Sequence, residues 1–330
     1  MPAHAVSETL TWSVLWHGLT LPLSRLLLSV SVGLFVGTLI EALHWTRAVA
    51  KIAQPLVRLG RLKDVAGASF SLAFFSGAAA NTLLAEALDR GDMTRREVIL
   101  ANLFNSLPTY FLHLPTLFFI AAPFIGPAAV LYVSLTVLAA LLRTVGIVIL
   151  GRLTLPPLPE GCVACLLDDA QTGQPKWDWR TALDKTWRRF RRRLPRMVYY
   201  TIPIYVAFFF LKRWGVFDVL EAYMAEHVPF LSWLPPQSMG IIGFQMAAET
   251  TAGYAAAGAL VQTGGLTLKE LVLALLAGNI LSSPVRAVRH QFPYYAGIFK
   301  PGLALNLIIS NQALRATSIA LVTLGYAIWG

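Results

Sequence analysis

Charged side chains inside apolar segments are the residues of this sequence most able to bind a ligand. Arg143 and Arg315 each lie near the middle of an apolar segment, Arg286 lies towards the end of another, and Glu249 carries the one formal charge inside residues 228–267. An arginine that faces lipid costs several kcal/mol, so these guanidinium groups should face an interior cavity. Positive charge is in excess there, which favours an anion such as phosphate, a carboxylate or a nucleotide-like compound. The alternative is that Arg143 and Arg315 bond to carbonyls of broken helices.

Glu249 has two possible roles, which can coexist. It stands directly before Thr250 and Thr251 in the stretch "AAETTAGY" and can cap the helix that these residues begin. Its carboxylate can instead bind a coupling cation (Na⁺ or H⁺) or the hydroxyl groups of a substrate.

The composition predicts an all-α, multi-pass protein of the cell membrane. Of 330 residues, 56% are hydrophobic and 13% are charged, and mean hydropathy is +0.61. The net charge of +10 is concentrated partly in "WRRFRRRLPR" (187–196). Beside membrane spans such a cluster marks the cytoplasmic face and contacts anionic lipid, so we expect lipid as its partner and not nucleic acid.

The two cysteines, Cys162 and Cys165, form a single CxxC motif. This motif supplies at most half of a tetrahedral zinc site, so a metal would require a second copy of the chain in a homo-oligomer. Two free thiols in a cytoplasmic loop are the simpler interpretation. Nothing in the sequence resembles a catalytic triad or a clustered metal site, so we expect no enzymatic activity and no cofactor beyond a coupling ion.

The chain repeats itself at an offset of 173 residues. "GDMTRREVILA" (91–101) aligns with "GGLTLKELVLA" (264–274), with five identical residues that include Thr94/Thr267 and Glu97/Glu270. We predict two structural repeats, 25–152 and 196–330, which follow an N-terminal segment (1–24) and are joined by a basic cytoplasmic loop (153–195).

Basic residues flank both ends of the segment 64–90, which Ser76-Gly77 interrupts near its middle. The positive-inside rule then places both ends in the cytoplasm, as two half-helices that turn back at mid-bilayer would allow. The alternative is one helix with a glycine kink. Three crossings and one such re-entrant hairpin in each repeat imply that the second repeat is inverted, with six transmembrane helices and both termini outside. The predicted elements are a helix, an interfacial helix (44–63), hairpin 64–90, Pro-broken helix 94–121 and helix 127–152, then hairpin 236–263, Pro-broken helix 267–299 and helix 301–329.

Two motifs, "FFSGAAANTLLAEALDRGDMTRREV" and "AAETTAGYAAAGALVQTGGLTLKEL", carry a family resemblance. With this order of elements the chain resembles the core of concentrative nucleoside transporters, and more widely the Gate or nucleoside-recognition domain of ferrous-iron transporters and spore-maturation membrane proteins. The resemblance implies that hairpin tips and helix breaks hold substrate and coupling ion. The family's Gly-Gln-Thr-Glu tip is replaced here by "SGAAAN" (76–81). The residues implied are Ser76, Asn81, Asn105, Ser106, Glu249, Thr250, Thr251, Asn279, Ser282 and Ser283.

Two hypotheses for the function follow. The first is a secondary transporter that moves a small polar, anionic or nucleoside-like solute by alternating access, with Arg143, Arg286 and Arg315 among its ligands. The second is a Gate-type membrane component of a larger assembly, without transport of its own, for which the basic loop would be a docking surface.

Overall fold

The computed structural model describes residues 11–42, 56, 59–156, 179–214, 234–247, 250–262 and 264–330. Every regular element in these ranges is helical, which confirms the predicted all-α class for the described residues. The helices are α1 (Leu21–Ala42), α2 (Asp64–Ala73), α3 (Gly77–Asp89), α4 (Arg95–Phe104), α5 (Ser106–Ile125), α6 (Ala128–Thr154), α7 (Trp179–Arg213), α8 (Ser238–Ala247), α9 (Thr250–Gln262), α10 (Leu268–Arg286), α11 (Phe292–Ala296) and α12 (Pro301–Trp329).

Among the residues that the structure describes, four helical segments are long and apolar enough to cross a membrane. They are α4 with α5 (Arg95–Ile125), α6, α10 and α12. Each is at least 19 residues long and predominantly apolar, as a crossing of the hydrocarbon core requires. This finding indicates a multi-pass membrane protein.

The helical structure at the amino end begins earlier than predicted. A short helix (Trp12–Leu15) and a π-helical turn (Trp16–Thr20) lead directly into α1, so the predicted N-terminal segment 1–24 is largely helical from Trp12 onward. The apolar helix was expected to begin after Arg25, but Arg25 itself is exposed within α1. Arginine is a good helix former, so it does not mark the start of the helix. Most of the predicted interfacial helix (44–63) lies outside the described residues.

The predicted loop 153–195 is wrong for its second half, because α7 begins at Trp179. Ala182, Thr186 and Phe190 recur at the spacing of one helix face and pack on α1. The hydroxyl of Thr186 donates to the carbonyl of Thr38 (3.5 Å), and the Phe35 and Phe190 rings meet edge to face at 5.6 Å. The basic run is therefore part of a helix and not of a loop, and its arginines Arg188, Arg189, Arg191 and Arg192 are exposed.

Each predicted hairpin region contains two helices that pack on each other. In the first region α2 ends at Ala73, and the Ser76 hydroxyl accepts from the Ala79 N–H (3.2 Å) to cap α3. Segment 64–90 is thus not one continuous helix. In the second region α8 and α9 pack together, and residues 248 and 249 between them lie outside the described residues.

The first broken helix is divided at Asn105, between α4 and α5. A capping box starts α4, with Thr94 and Glu97 bonding to each other's backbone N–H groups. Pro108 follows in the first turn of α5, where its missing N–H costs nothing. Helix α5 continues to Ile125, beyond the predicted end at 121, and stops at Gly126, whose φ is +54°.

The second predicted break, at Asn279, Ser282 and Ser283, is wrong. Helix α10 runs unbroken through these residues and Pro284 to Arg286, and the distortion comes one turn later as a π-helical turn (Ala287–Gln291). Pro284 removes one backbone N–H from α10. The loss of a single hydrogen bond does not end a helix when the neighbouring backbone groups have no other hydrogen-bond partner. The π-helical turn leads directly into α11.

Helices of the two halves begin at matching positions. The starts of α3 and α9 (Gly77 and Thr250), of α4 and α10 (Arg95 and Leu268), and of α6 and α12 (Ala128 and Pro301) are each 173 residues apart. Helices α3 and α9 are both 13 residues long, and a Thr/Glu capping box starts both α4 and α10.

Candidate functional site

A cavity of about 550 Å³ lies between the two halves, enclosed by α3, α4, α5 and α6 from the first and by α10, α11 and α12 from the second. Its volume is typical of small-molecule sites. Asparagine, glutamine, tyrosine and arginine side chains line it, and no aspartate or glutamate is among its described lining residues. The polar lining includes Asn81, Asn102, Asn105, Ser106, Arg143, Asn279, Gln291, Tyr294, Tyr295, Asn311, Gln312 and Arg315.

One end of the cavity is cationic. The Arg315 Nη2 atom donates to Asn279 Oδ1 (3.0 Å), and Arg286 Nη2 donates to the same oxygen (3.2 Å). The Asn279 amide nitrogen donates to the Tyr132 hydroxyl (2.9 Å), which fixes the orientation of the amide. Two guanidinium groups therefore share one neutral oxygen.

Arg286 also connects this end to α9. Its Nη1 atom donates to the Thr250 hydroxyl (2.6 Å), so one guanidinium links the first residue of α9, the end of α10 and Asn279. The Arg286 side chain does not line the cavity. It lies behind Asn279, which does line it.

The positive charge at this end has no compensation among the described residues. None of Arg143, Arg286 and Arg315 forms an ion pair there, and the buried Nε atom of Arg143 has no hydrogen-bond partner. Guanidinium groups held together in an apolar interior attract an anion strongly, because the low dielectric enhances every charge interaction.

The other end of the cavity is a network of neutral amides centred on Asn102. Its Nδ2 atom donates to Asn81 Oδ1 (2.7 Å), and its Oδ1 atom accepts from Asn311 Nδ2 (2.9 Å). Asn81 in turn donates to the Tyr294 hydroxyl (3.3 Å), and the Tyr295 hydroxyl donates to Asn102 (3.4 Å). The network ties α3 and α4 to α11 and α12, so it joins the two halves.

Asn105 and Ser106, at the break between α4 and α5, line the cavity, and each has a polar side-chain atom without a partner among the described residues. Asn105 is 4% exposed, and its Nδ2 atom donates to Ser69 Oγ (2.7 Å). Its Oδ1 atom and the Ser106 hydroxyl are buried without a hydrogen-bond partner among the described residues. Buried polar atoms of this kind need a partner, which a ligand or water can supply.

The structure brings many of the predicted site residues together. Asn81, Asn105, Ser106, Arg143, Asn279 and Arg315 line the cavity. Thr250 and Arg286 join it through Asn279, and Ser283 donates to Gln312, which lines it.

Other predicted residues lie elsewhere. Ser76 caps α3, the Ser282 hydroxyl donates to the Asn279 carbonyl of its own helix (3.5 Å), and Thr251 is not part of the cavity lining. Glu249, Cys162 and Cys165 lie outside the described residues. No group of three or more metal-ligating side chains occurs among the residues that the structure describes.

Sequence reasoning missed the polar side chains that the second half contributes. Asn311 and Gln312 lie one turn before Arg315 on α12, so a shared helical face could have identified them. Gln312 bonds to Gln291 (2.9 Å) in the π-helical turn. Tyr294 and Tyr295 gave no such signal, because tyrosine near a segment end is by default an interfacial anchor.

Sequence comparison finds similar proteins in Methanocaldococcus jannaschii. The chain is 26% identical to Uncharacterized protein MJ0871 over 88% of each chain. It is 24% identical to Uncharacterized protein MJ1556 over 95% of this chain and 96% of that protein. It is 21% identical to Uncharacterized protein MJ0880 over 87% and 92%. No protein-family model and no solved structure matches the chain.

Proposed function

We propose that this protein is a secondary transporter that moves a small polar, anionic solute across the membrane by alternating access. The observation that carries the proposal is the cavity between the two halves, where Arg143 and Arg315 meet neutral amides and no described carboxylate. Charged groups inside a membrane protein are costly and mark substrate pathways. A cavity of this size and polarity exceeds what helix packing alone requires.

The architecture that we propose is a pair of inverted repeats with six transmembrane helices and two re-entrant hairpins. The matched helix starts support the repeats. Helices of 10 and 13 residues reach only about 15 and 20 Å, well short of the ~30 Å hydrocarbon core, which supports two hairpins that turn back inside the membrane. Helix α1, with 22 residues, and the apolar second half of α7 would bring the four long segments to six crossings.

The position of the cavity supports alternating access. Its walls come from both halves, so a rotation of one half against the other would change which side of the membrane it faces. The amide network centred on Asn102 and the guanidinium bonds at Asn279 are the contacts that such a motion would break and remake. Na⁺ or H⁺ is the proposed coupling ion. The Gate-domain resemblance is compatible with this arrangement.

The orientation that we propose places residues 153–195 in the cytoplasm and both termini outside. Cysteines introduced near residues 5, 170 and 328 test it by their accessibility to a membrane-impermeant reagent. We expect labelling at 5 and 328, but not at 170, from the outer face of intact cells. Labelling at 170 would contradict the orientation.

A panel of ligands tests the proposed function. Purified protein in detergent is heated with nucleosides, nucleotides and organic anions, and we expect at least one anion to raise the unfolding temperature. Arg315→Gln should abolish that shift. Arg152→Gln, an exposed arginine at the end of α6, is the matched control and should keep it. A protein that no compound stabilises would favour the alternative of a non-transporting component of a larger assembly.

A further inference from the structure

We infer that the cavity takes a phosphate monoester of a hydroxylated organic molecule, with its phosphate at Arg143 and Arg315 and its hydroxyl groups at Asn105 and Ser106. The inference rests on the proposed function and specifies the substrate class of the same cavity.

The charge of the cavity selects the phosphate. Two guanidinium groups line it, a third stands behind Asn279, and none of the three has an ion-pair partner among the described residues. A phosphate monoester carries about −1.5 to −2 charges near neutral pH and so offsets both lining arginines. A monocarboxylate would leave one of them uncompensated in an apolar interior.

The hydrogen bonds at this end select the same group. Each guanidinium has five N–H donors. Arg286 and Arg315 both donate to Asn279 Oδ1, Arg286 donates also to the Thr250 hydroxyl and the Asn279 carbonyl, and Arg143 Nε has no partner among the described residues. Donors therefore exceed acceptors. The three terminal oxygens of a phosphate supply the missing acceptors, and arginine bonds them in pairs.

The size of the cavity favours a ligand larger than inorganic phosphate. About 550 Å³ is in the range that holds an organic molecule of drug size, whereas an inorganic phosphate would leave most of the space to water. An organic body attached to the phosphate must therefore extend towards the neutral end.

The unused atoms at the helix break define that body. Asn105 Oδ1 can only accept a hydrogen bond, and the Ser106 hydroxyl can accept or donate one. An apolar body would leave both buried and unpaired, which is unfavourable. A hydroxylated body donates to Asn105 and pairs with Ser106, so the helix break is the place where the organic part is recognised.

Competing equilibrium titrations test the inference on the full-length protein in detergent micelles. The ligands are glycerol 3-phosphate, ribose 5-phosphate and glucose 6-phosphate, with inorganic phosphate, the three parent polyols and succinate for comparison, all at one ionic strength. We expect at least one ester to bind about tenfold more tightly than inorganic phosphate, and the uncharged parents to produce no shift in unfolding temperature.

Two variants test separately the cationic end of the cavity and the helix break between α4 and α5. Arg315→Gln should abolish binding of the ester and of phosphate. Ser106→Ala should weaken the ester about fivefold and leave inorganic phosphate unchanged, because only the ester reaches the helix break. Ser31→Ala is the control, since its hydroxyl bonds only to the Leu27 carbonyl of its own helix (2.7 Å).

The remaining outcomes overturn the inference. Equal affinity for ester and inorganic phosphate, an unchanged ester affinity in Ser106→Ala, or binding of no ester would each do so. If succinate stabilises the protein through Arg315 and no ester does, the substrate class is wrong but the proposed transport of anions stands. If no anion of any class stabilises it, both proposals fail.

Discussion

Each half of the molecule contains a junction of three helices: α2, α3 and the end of α4 in the first half, and α8, α9 and α10 in the second. Different interactions hold the two junctions together. In the first half the junction is hydrogen-bonded. Asn105 donates to Ser69 on α2 (2.7 Å), and Ser69 donates to the carbonyl of Ala80 on α3 (3.0 Å). All three residues are at most 4% exposed, so the chain of bonds is shielded from solvent.

In the second half the junction is held by close packing. Gln245 of α8 is 1% exposed and lies against Gly253 of α9 and Gly278 of α10. A Cβ atom on Gly253 would lie 2.1 Å from Gln245 Cγ, and one on Gly278 would lie 2.5 Å from Gln245 Oε1. Both polar atoms of the glutamine side chain lack a hydrogen-bond partner among the described residues.

The two junctions nevertheless use equivalent positions. Ala80 and Gly253 are 173 residues apart, as are Asn105 and Gly278. At Asn105 the helix is broken and the residue lines the cavity, whereas at Gly278 the helix continues and the amide of Gln245 packs against the glycine. Equivalent positions of the two halves can therefore serve different purposes. In the first half the position is available for ligand binding, and in the second half it serves close packing.

The largest stability effect should come from filling the glycine position. Gly253→Ala should lower the free energy of unfolding by about 3 kcal/mol, because the new methyl group overlaps the stem of Gln245. Gly243→Ala on α8 is the control, since a Cβ there meets no atom within 4 Å. Thermal unfolding in detergent measures both. Equal melting temperatures would show that Gln245 is not fixed between the two helices.

A smaller effect is expected at the hydrogen-bonded junction. Ser69→Ala leaves the Asn105 amide unpaired in the interior and removes the second hydrogen bond to the Ala80 carbonyl, and should cost about 2 kcal/mol in the same assay. Ser31→Ala removes only a bond within one helix and should cost far less. If the two variants unfold alike, the first junction is not held by these bonds.

The residues directly before α3 and α9, Ser76 and Glu249, also occupy equivalent positions, because they are 173 residues apart. Substitutions at the two positions compare their capping roles. Ser76→Ala removes an observed cap and should cost about 1 kcal/mol. Glu249→Gln keeps an oxygen that can cap, so stability should change by less than about 1 kcal/mol. If the carboxylate binds a cation or balances Arg286 or Arg315, transport or its ion dependence should change sharply. Unchanged uptake, ion dependence and ligand affinity would leave only the capping role.

The smallest effects separate the two capping boxes. Glu97 is 7% exposed and also pairs with Lys63 (3.0 Å), so Glu97→Gln should cost about 1 kcal/mol. Among the described residues the Glu270 carboxylate bonds to Thr267 alone, in an exposed setting, so Glu270→Gln should cost a few tenths of a kcal/mol. Calorimetry of the two variants measures the difference, and a larger loss for Glu270→Gln would contradict this ranking.

Local chemistry explains what the sequence allowed us to predict. Thr94 with Glu97 and Thr267 with Glu270 are capping boxes, which fix where a helix starts from four residues alone. The apolar runs identify membrane-crossing segments, and Arg143 and Arg315 inside such runs point to an interior cavity. Each of these inferences depends on neighbours in the chain.

The remaining features depend on tertiary contacts. The basic run before Pro195 suggests a loop by charge, but it is helical because its apolar face packs on α1. Pro284 suggests a break, but the distortion comes after Arg286. Two partners of Asn102, Asn311 and Tyr295, are about 200 residues away in the chain, so no local pattern reveals them.

Uptake by proteoliposomes tests the central claim most directly. The anion that most stabilises the purified protein is supplied in labelled form to vesicles that contain wild type, Arg315→Gln or Arg152→Gln protein. We predict that wild type and Arg152→Gln accumulate it above protein-free vesicles, and that Arg315→Gln lowers uptake at least about tenfold by removing a charge-assisted contact. Binding without uptake in the wild type, or equal uptake with Arg315→Gln, would contradict the account.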